Sequence, residues 1–143
     1  MNRRVIYGLV ITIFFGLAIF AAFMPPGFDG LVGDMIRIEY PKPNDVIKSP
    51  LTVRGEAMGG WYFEASFPLT LTDWDGRIIA QSYAQAQDEW MTPEFVPFEG
   101  KIEFKNQSSG EDFTKRGYLI FHKDNPSGLP EHDAAVEIPI RFE

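Results

Sequence analysis

Two carboxylates flank an indole at Asp73-Trp74-Asp75-Gly76. Acids at that spacing suit two chemistries: oxygen ligation of a hard cation, or acceptors that tie down a turn. Calcium takes about six to eight oxygen ligands, and the later Asp or Asn and the Glu of a helix–loop–helix calcium loop are missing. Turn chemistry accounts for both Asp residues and for Gly76, because Asx side chains bond their own backbone and Gly takes positive φ. No metal is therefore expected. Glu64 sits between aromatics, but acid–base work on a glycoside needs a second placed carboxylate. The sequence nominates none, so Glu64 is expected to pair with Arg54 or Arg77, or to accept backbone N–H groups. The pairs Asp88-Glu89 and Glu111-Asp112 read as solvated charge.

The remaining nucleophile and ligand chemistries lack their residues. There is no Cys, which excludes a thiolate zinc site, a thiol nucleophile and a disulfide framework. The two histidines, His122 and His132, stand ten positions apart without a ligand cluster. A His-based zinc site or catalytic triad is not expected. No P-loop, G-x-G-x-x-G or G-x-S-x-G occurs. The expectation is no catalytic residue, no cofactor and no enzyme. What remains is binding: Trp74, with Asp73 and Asp75, at a hairpin tip. An exposed Trp there would contact a partner or a glycan; otherwise a neighbouring loop buries it as a plug.

The elements that hold this tip have a period of two. In GWYFEASFPLTLTDWDG, residues 60–76, the alternation predicts one strand from Trp61 to Leu71. Trp61, Phe63, Ala65, Phe67, Leu69 and Leu71 face inward; Tyr62, Glu64, Ser66, Thr70 and Thr72 face outward. Pro68, unable to donate a ladder bond, marks a bulge or an edge position. Ile36, Ile38 and Tyr40 alternate before a PKPND turn, and Val46 to Lys48 reads as a short continuation. Leu51, Val53, Gly55 and Ala57 alternate next, and Arg77 to Ala86 returns from the tip. Phe98 to Phe104 alternates, Gly117 to Lys123 reads as a central strand, and Ala134 to Phe142 alternates to the end. The predicted core includes Trp61, Phe63, Phe67, Phe98, Phe104, Ile138 and Ile140, and Trp90 is expected to pack there too. No helical period appears after residue 24. About seven short strands separated by turn signals predict an all-β antiparallel sandwich over residues 36–143.

The N-terminus follows different rules. Residues 5–24 carry no charge, and about twenty apolar residues span a bilayer as a helix. Arg3 and Arg4 precede the run and Pro25-Pro26 follows it. The expectation is a cytoplasmic stub at 1–4, a transmembrane helix at 5–24, a linker at 25–35 and an extracytoplasmic domain. A cleaved signal peptide is the alternative, although the exit IFAAFMPP has no Ala-x-Ala site. The chain carries net charge −7, and both N-terminal arginines lie outside the domain. So acidic a domain is a poor binder of nucleic-acid phosphate.

Pro43-Asn44-Asp45-Val46-Ile47, Ser49-Pro50-Leu51, Val53-Arg54-Gly55-Glu56-Ala57, Trp61-Tyr62-Phe63-Glu64-Ala65 and Phe67-Pro68-Leu69 form a fairly specific block. With Asp73, Gly76, Trp90, Val96-Pro97-Phe98, Asn125-Pro126-Ser127-Gly128 and Ile138-Pro139-Ile140, it resembles the immunoglobulin-like domain of bacterial sporulation and germination proteins, the second Gmad domain. The resemblance covers about residues 36–143. It implies an immunoglobulin-like sandwich at the cell envelope with no enzymatic activity attached. The functional expectation is a membrane-anchored extracytoplasmic recognition or scaffolding module whose partner is an envelope protein or a wall polymer. A tethered or secreted regulator of an envelope enzyme such as a protease is the alternative, acting through residues 105–116 or 123–133.

Overall fold

The computed structural model describes residues 33–105 and 110–143. The expected stub and transmembrane segment lie outside the described residues. Among the described residues no helix is long and apolar enough to cross a membrane. Eight strands follow in order: β1 (Ile36–Tyr40), β2 (Val46–Ile47), β3 (Leu51–Met58), β4 (Ser66–Asp73), β5 (Ile78–Ala86), β6 (Phe95–Ile102), β7 (Arg116–His122) and β8 (Ala135–Phe142). Single 3-10 turns occupy Gly59–Trp61, Asp112–Lys115 and Pro130–His132.

The strands form one sheet in the order β1-β3-β6-β5-β4-β7-β8-β2. Every pairing is antiparallel except β2 on β8. The orders β1-β3-β6-β5 and β4-β7-β8 are those of the two sheets of an immunoglobulin domain, but the β4–β5 ladder, continuous from Ser66 to Thr72, makes them one curled sheet instead of the expected two-sheet sandwich. The sheet is curled because one stretch of chain serves both of its ends. β1 pairs with β3, the chain turns at Lys42–Asp45, and β2 pairs with β8. Asn44 takes φ 68° in that turn. Its N–H donates to the Pro139 carbonyl at 2.7 Å, while the Asp45 carbonyl accepts from Arg141 N–H at 2.9 Å. The PKPND turn thus stitches the two sheet ends, and β2 is the strand beyond the expected seven.

Alternation built the core. β6 buries Val96, Phe98, Gly100 and Ile102, and β8 buries Val136, Ile138, Ile140 and Phe142. Phe67 is the hub, with ring centroids at 4.9 Å from Phe98, 5.3 Å from Tyr62 and 6.4 Å from Trp61. Phe104 is half-buried and packs edge-on against Phe142 at 5.7 Å. Trp90 is also half-buried and packs against the core.

The stretch from Trp61 to Leu71 is not one strand. Trp61 ends a 3-10 turn, and the chain reverses at Glu64-Ala65, both left-handed with φ 50° and 62°. Phe63 and Ser66 exchange backbone hydrogen bonds of 2.9 and 3.1 Å across this two-residue turn. Paired left-handed residues match the twist of a tight hairpin. The reversal changes the parity, so the expected inward set needs correction. Phe63 is 41 % exposed and leaves the core, whereas Tyr62 is 4 % exposed and enters it. Glu64 is exposed on the turn, and Arg54 pairs instead with Glu39 at 4.0 Å. Thr70 and Thr72, expected to face outward, are buried, with 5 % and 4 % exposure. Pro68 faces Tyr83 on β5 where β4 has no other neighbour, since the β7 ladder begins at Leu69.

Candidate binding site

The Asp73 turn is braced from within. Asp73 Oδ1 accepts the N–H groups of Asp75 and Arg77, each at 2.9 Å. Asp73 N–H donates to the Arg77 carbonyl, and Gly76 N–H donates to the Asp73 carbonyl at 3.1 Å. Gly76 takes φ 78°, where a side chain would be strained. Asp73 is therefore a turn residue, and its oxygen is committed to backbone. Asp75 is exposed at the tip. Among the described residues no group of three or more His, Asp or Glu is placed to hold a metal.

Trp74 is neither a buried plug nor a lone exposed ring. It is 49 % exposed and packs edge-to-face with Phe113, centroids 5.0 Å apart at 89°. Phe113 is itself 48 % exposed and comes from the 3-10 turn Asp112–Lys115. That turn is pinned to the sheet by its acid. Asp112 Oδ1 lies 3.0 Å from Arg141 Nη2, and Oδ2 lies 3.7 Å from Arg116 Nη2. Arg116 and Arg141 are cross-strand partners on β7 and β8, so the carboxylate bridges two like charges that would otherwise repel. Asp112, expected as solvated charge, has a side chain 70 % exposed and also makes both of these contacts. Ile78 and Tyr118 are each opposite Thr72 on the flanking strands and each exposed. Phe113 and Tyr118 were not singled out from the sequence, because nothing local distinguishes an exposed aromatic from a core one.

The strand registers place this cluster at one pole. β1 begins at Ile36 beside Ala57, next to Met58 and Phe95. Trp74 lies beyond the opposite ends of the strands, where Asp73 faces Gly117 and β3 starts at Leu51 beside Ile102. The other candidates sit elsewhere. His122 Nε2 lies 3.1 Å from Thr70 Oγ1 on the sheet surface, and His132 is exposed in a turn. The 123–133 loop is ordered by Asn125, whose Nδ2 donates to the Leu129 carbonyl at 2.9 Å and to Asp133 Oδ1 at 2.6 Å. Leu129 is exposed there, but its carbonyl is already bonded and Pro130 follows it.

No curated protein and no solved structure gives a significant match to the chain. A family model described as the immunoglobulin-like domain of bacterial spore germination, Gmad2, matches residues 35–124, from just before β1 to just past β7. With that span covering most of the curled sheet, the chain belongs to the Gmad2 family of immunoglobulin-like domains of bacterial spore germination.

Proposed function

We propose that this protein is a non-enzymatic recognition or scaffolding module, anchored in the membrane by residues 5–24 and displayed outside the cytoplasm. The carrying observation is the exposed Trp74–Phe113 pair on two internally braced turns at the pole opposite the start of β1. Rigid scaffolds that present apolar loops use them for binding. The partner proposed for the aromatic pair is an envelope protein or the wall polymer. Membership of a germination family supports a role in that setting. The protease-regulator reading has less support, since the Leu129–Pro130 bond is a poor substrate mimic and its carbonyl is engaged. The test is a photoreactive amino acid at Trp74 in cells of the native host, with crosslinked products identified by mass spectrometry. A specific envelope partner lost with Phe113→Ala supports the proposal. No product at Trp74, with products at residues 123–133 instead, moves the binding surface to that loop.

A further inference from the structure

β7 and β8 set two like charges face to face. Arg116 and Arg141 are cross-strand partners, an arrangement that destabilises a sheet unless an anion lies between them. The protein supplies one carboxylate, Asp112, at 3.0 Å from Arg141 and 3.7 Å from Arg116. One negative charge against two positive ones leaves a positive spot on a domain with twenty acids and eleven bases beyond residue 24. Each guanidinium offers five N–H donors in a planar fork, and each Asp112 contact involves a single nitrogen. The same two arginines line a hollow of about 340 Å³ together with Asn44, Tyr118 and Pro139, a volume in the range of small-molecule sites.

We infer that this hollow binds an acidic saccharide, a uronic-acid type of sugar in a wall polymer. Its carboxylate takes the place of Asp112 on Arg116 and Arg141, and its ring lies on Tyr118 and Pro139. The inference rests on the wall-polymer side of the reading above and names the chemistry of that polymer. Three observations select this ligand. First, Asp112 shows that the arginine pair accepts a carboxylate, and an exposed carboxylate on a single turn is exchangeable for another. Second, Tyr118 and Pro139 are partners in register two positions along the ladder from the arginines. That is about 7 Å of strand, the reach of one sugar ring and its carboxylate.

Third, the remaining polar groups suit hydroxyls. Among the described residues neither the Tyr118 hydroxyl nor the Asn44 carboxamide has a hydrogen-bond partner. Each both donates and accepts, as a sugar hydroxyl does. A polyol phosphate would use the arginines and leave the ring platform idle. The charge-assisted bonds to the carboxylate carry most of the attraction, and the platform gives the preference for a sugar. Asp112 is then an internal competitor, so its carboxylate holds the arginines together when no saccharide is bound and weakens the saccharide's hold.

The test uses the full chain in micelles of a neutral detergent and two disaccharides that differ only in a carboxylate, cellobiouronic acid and cellobiose. Saturation-transfer NMR and titration should show cellobiouronic acid binding at least ten-fold more tightly than cellobiose. Tyr118→Ser, at an exposed position, and Arg141→Gln should each weaken that binding at least ten-fold, with Arg116→Gln as the substitute if Arg141→Gln fails to fold. Asp112→Asn removes the competing carboxylate and should tighten binding at least three-fold. Cellobiose binding as well as the acid, or glycerol-phosphate or glutamate oligomers binding better than it, overturns the inference. So does an Asp112→Asn chain that binds no more tightly. The Trp74 photocrosslink reads the recognition module separately: a partner captured there by a chain that ignores cellobiouronic acid removes the saccharide site and leaves the module standing.

Discussion

Tyr62 donates its hydroxyl to the Val96 carbonyl at 2.6 Å from a site only 4 % exposed. Burial pushes the phenol well above its ordinary range, with the nearby Glu56 carboxylate adding to the rise. The folded state therefore holds the Tyr62 proton more tightly than the unfolded chain does. That contribution is fully present below about pH 10, the ordinary tyrosine value, and is lost as pH rises beyond it. Tyr62→Phe should cost about 1–1.5 kcal/mol at neutral pH, the worth of one buried hydrogen bond. The gap between wild type and variant should narrow above about pH 10, as chemical denaturation on both sides of that pH would show. Its neighbour behaves oppositely. Phe63→Ser removes an exposed ring and should change stability by under about 0.5 kcal/mol, whereas Phe67→Ala empties the centre of the aromatic cluster and should cost about 3–5 kcal/mol. Equal losses at Phe63 and Phe67 would refute the parity change at Glu64-Ala65.

That turn carries backbone strain that its surroundings must hold in place. Two ordinary L-residues in the left-handed region each cost about 1–2 kcal/mol. They are held there because the reversal buries Trp61 and Tyr62 against Phe67 and because the Ala65 carbonyl accepts from Ala86 N–H at 2.7 Å. Ala65→Gly relieves the strain at the expense of unfolded-state entropy and should stabilise by about 0.5–1 kcal/mol, seen as a raised denaturation midpoint. On the other side of β4, Gly117 on β7 faces Asp73, and a Cβ there would press on the Thr72 carbonyl and the Phe142 ring. Gly117→Ala should cost more than about 2 kcal/mol and loosen the end of the sheet that carries the Trp74 turn.

For the whole molecule, the aromatic pole and the sheet core are separable. Trp74→Ala removes an edge-to-face contact between two half-exposed rings, a loss of about 0.5–1.5 kcal/mol, and the fold should survive it. If the pole binds a partner, the same change should weaken recovery of that partner by tenfold or more, the size of an interface hot spot. A fall in stability above about 2 kcal/mol would make the pair structural. Asp112→Ala should act on the pole from a distance: it leaves Arg116 and Arg141 facing each other unbridged and frees the turn that carries Phe113.

Sequence alone determined the strands whose pattern is local. The alternation of Phe98, Gly100 and Ile102, or of Val136, Ile138 and Ile140, survives because a pleated strand forces a period of two wherever one face is buried. The PKPND and Asp73–Gly76 turns were legible because their residues carry their own turn geometry. Glu64-Ala65 was not, since neither residue favours positive φ and only the surrounding core keeps them there. Asp73 was readable as a turn brace; Phe113 was not readable as the neighbour of Trp74. They lie 39 positions apart, and only the β4–β7 register, clamped by Asp112 on two arginines, brings them together.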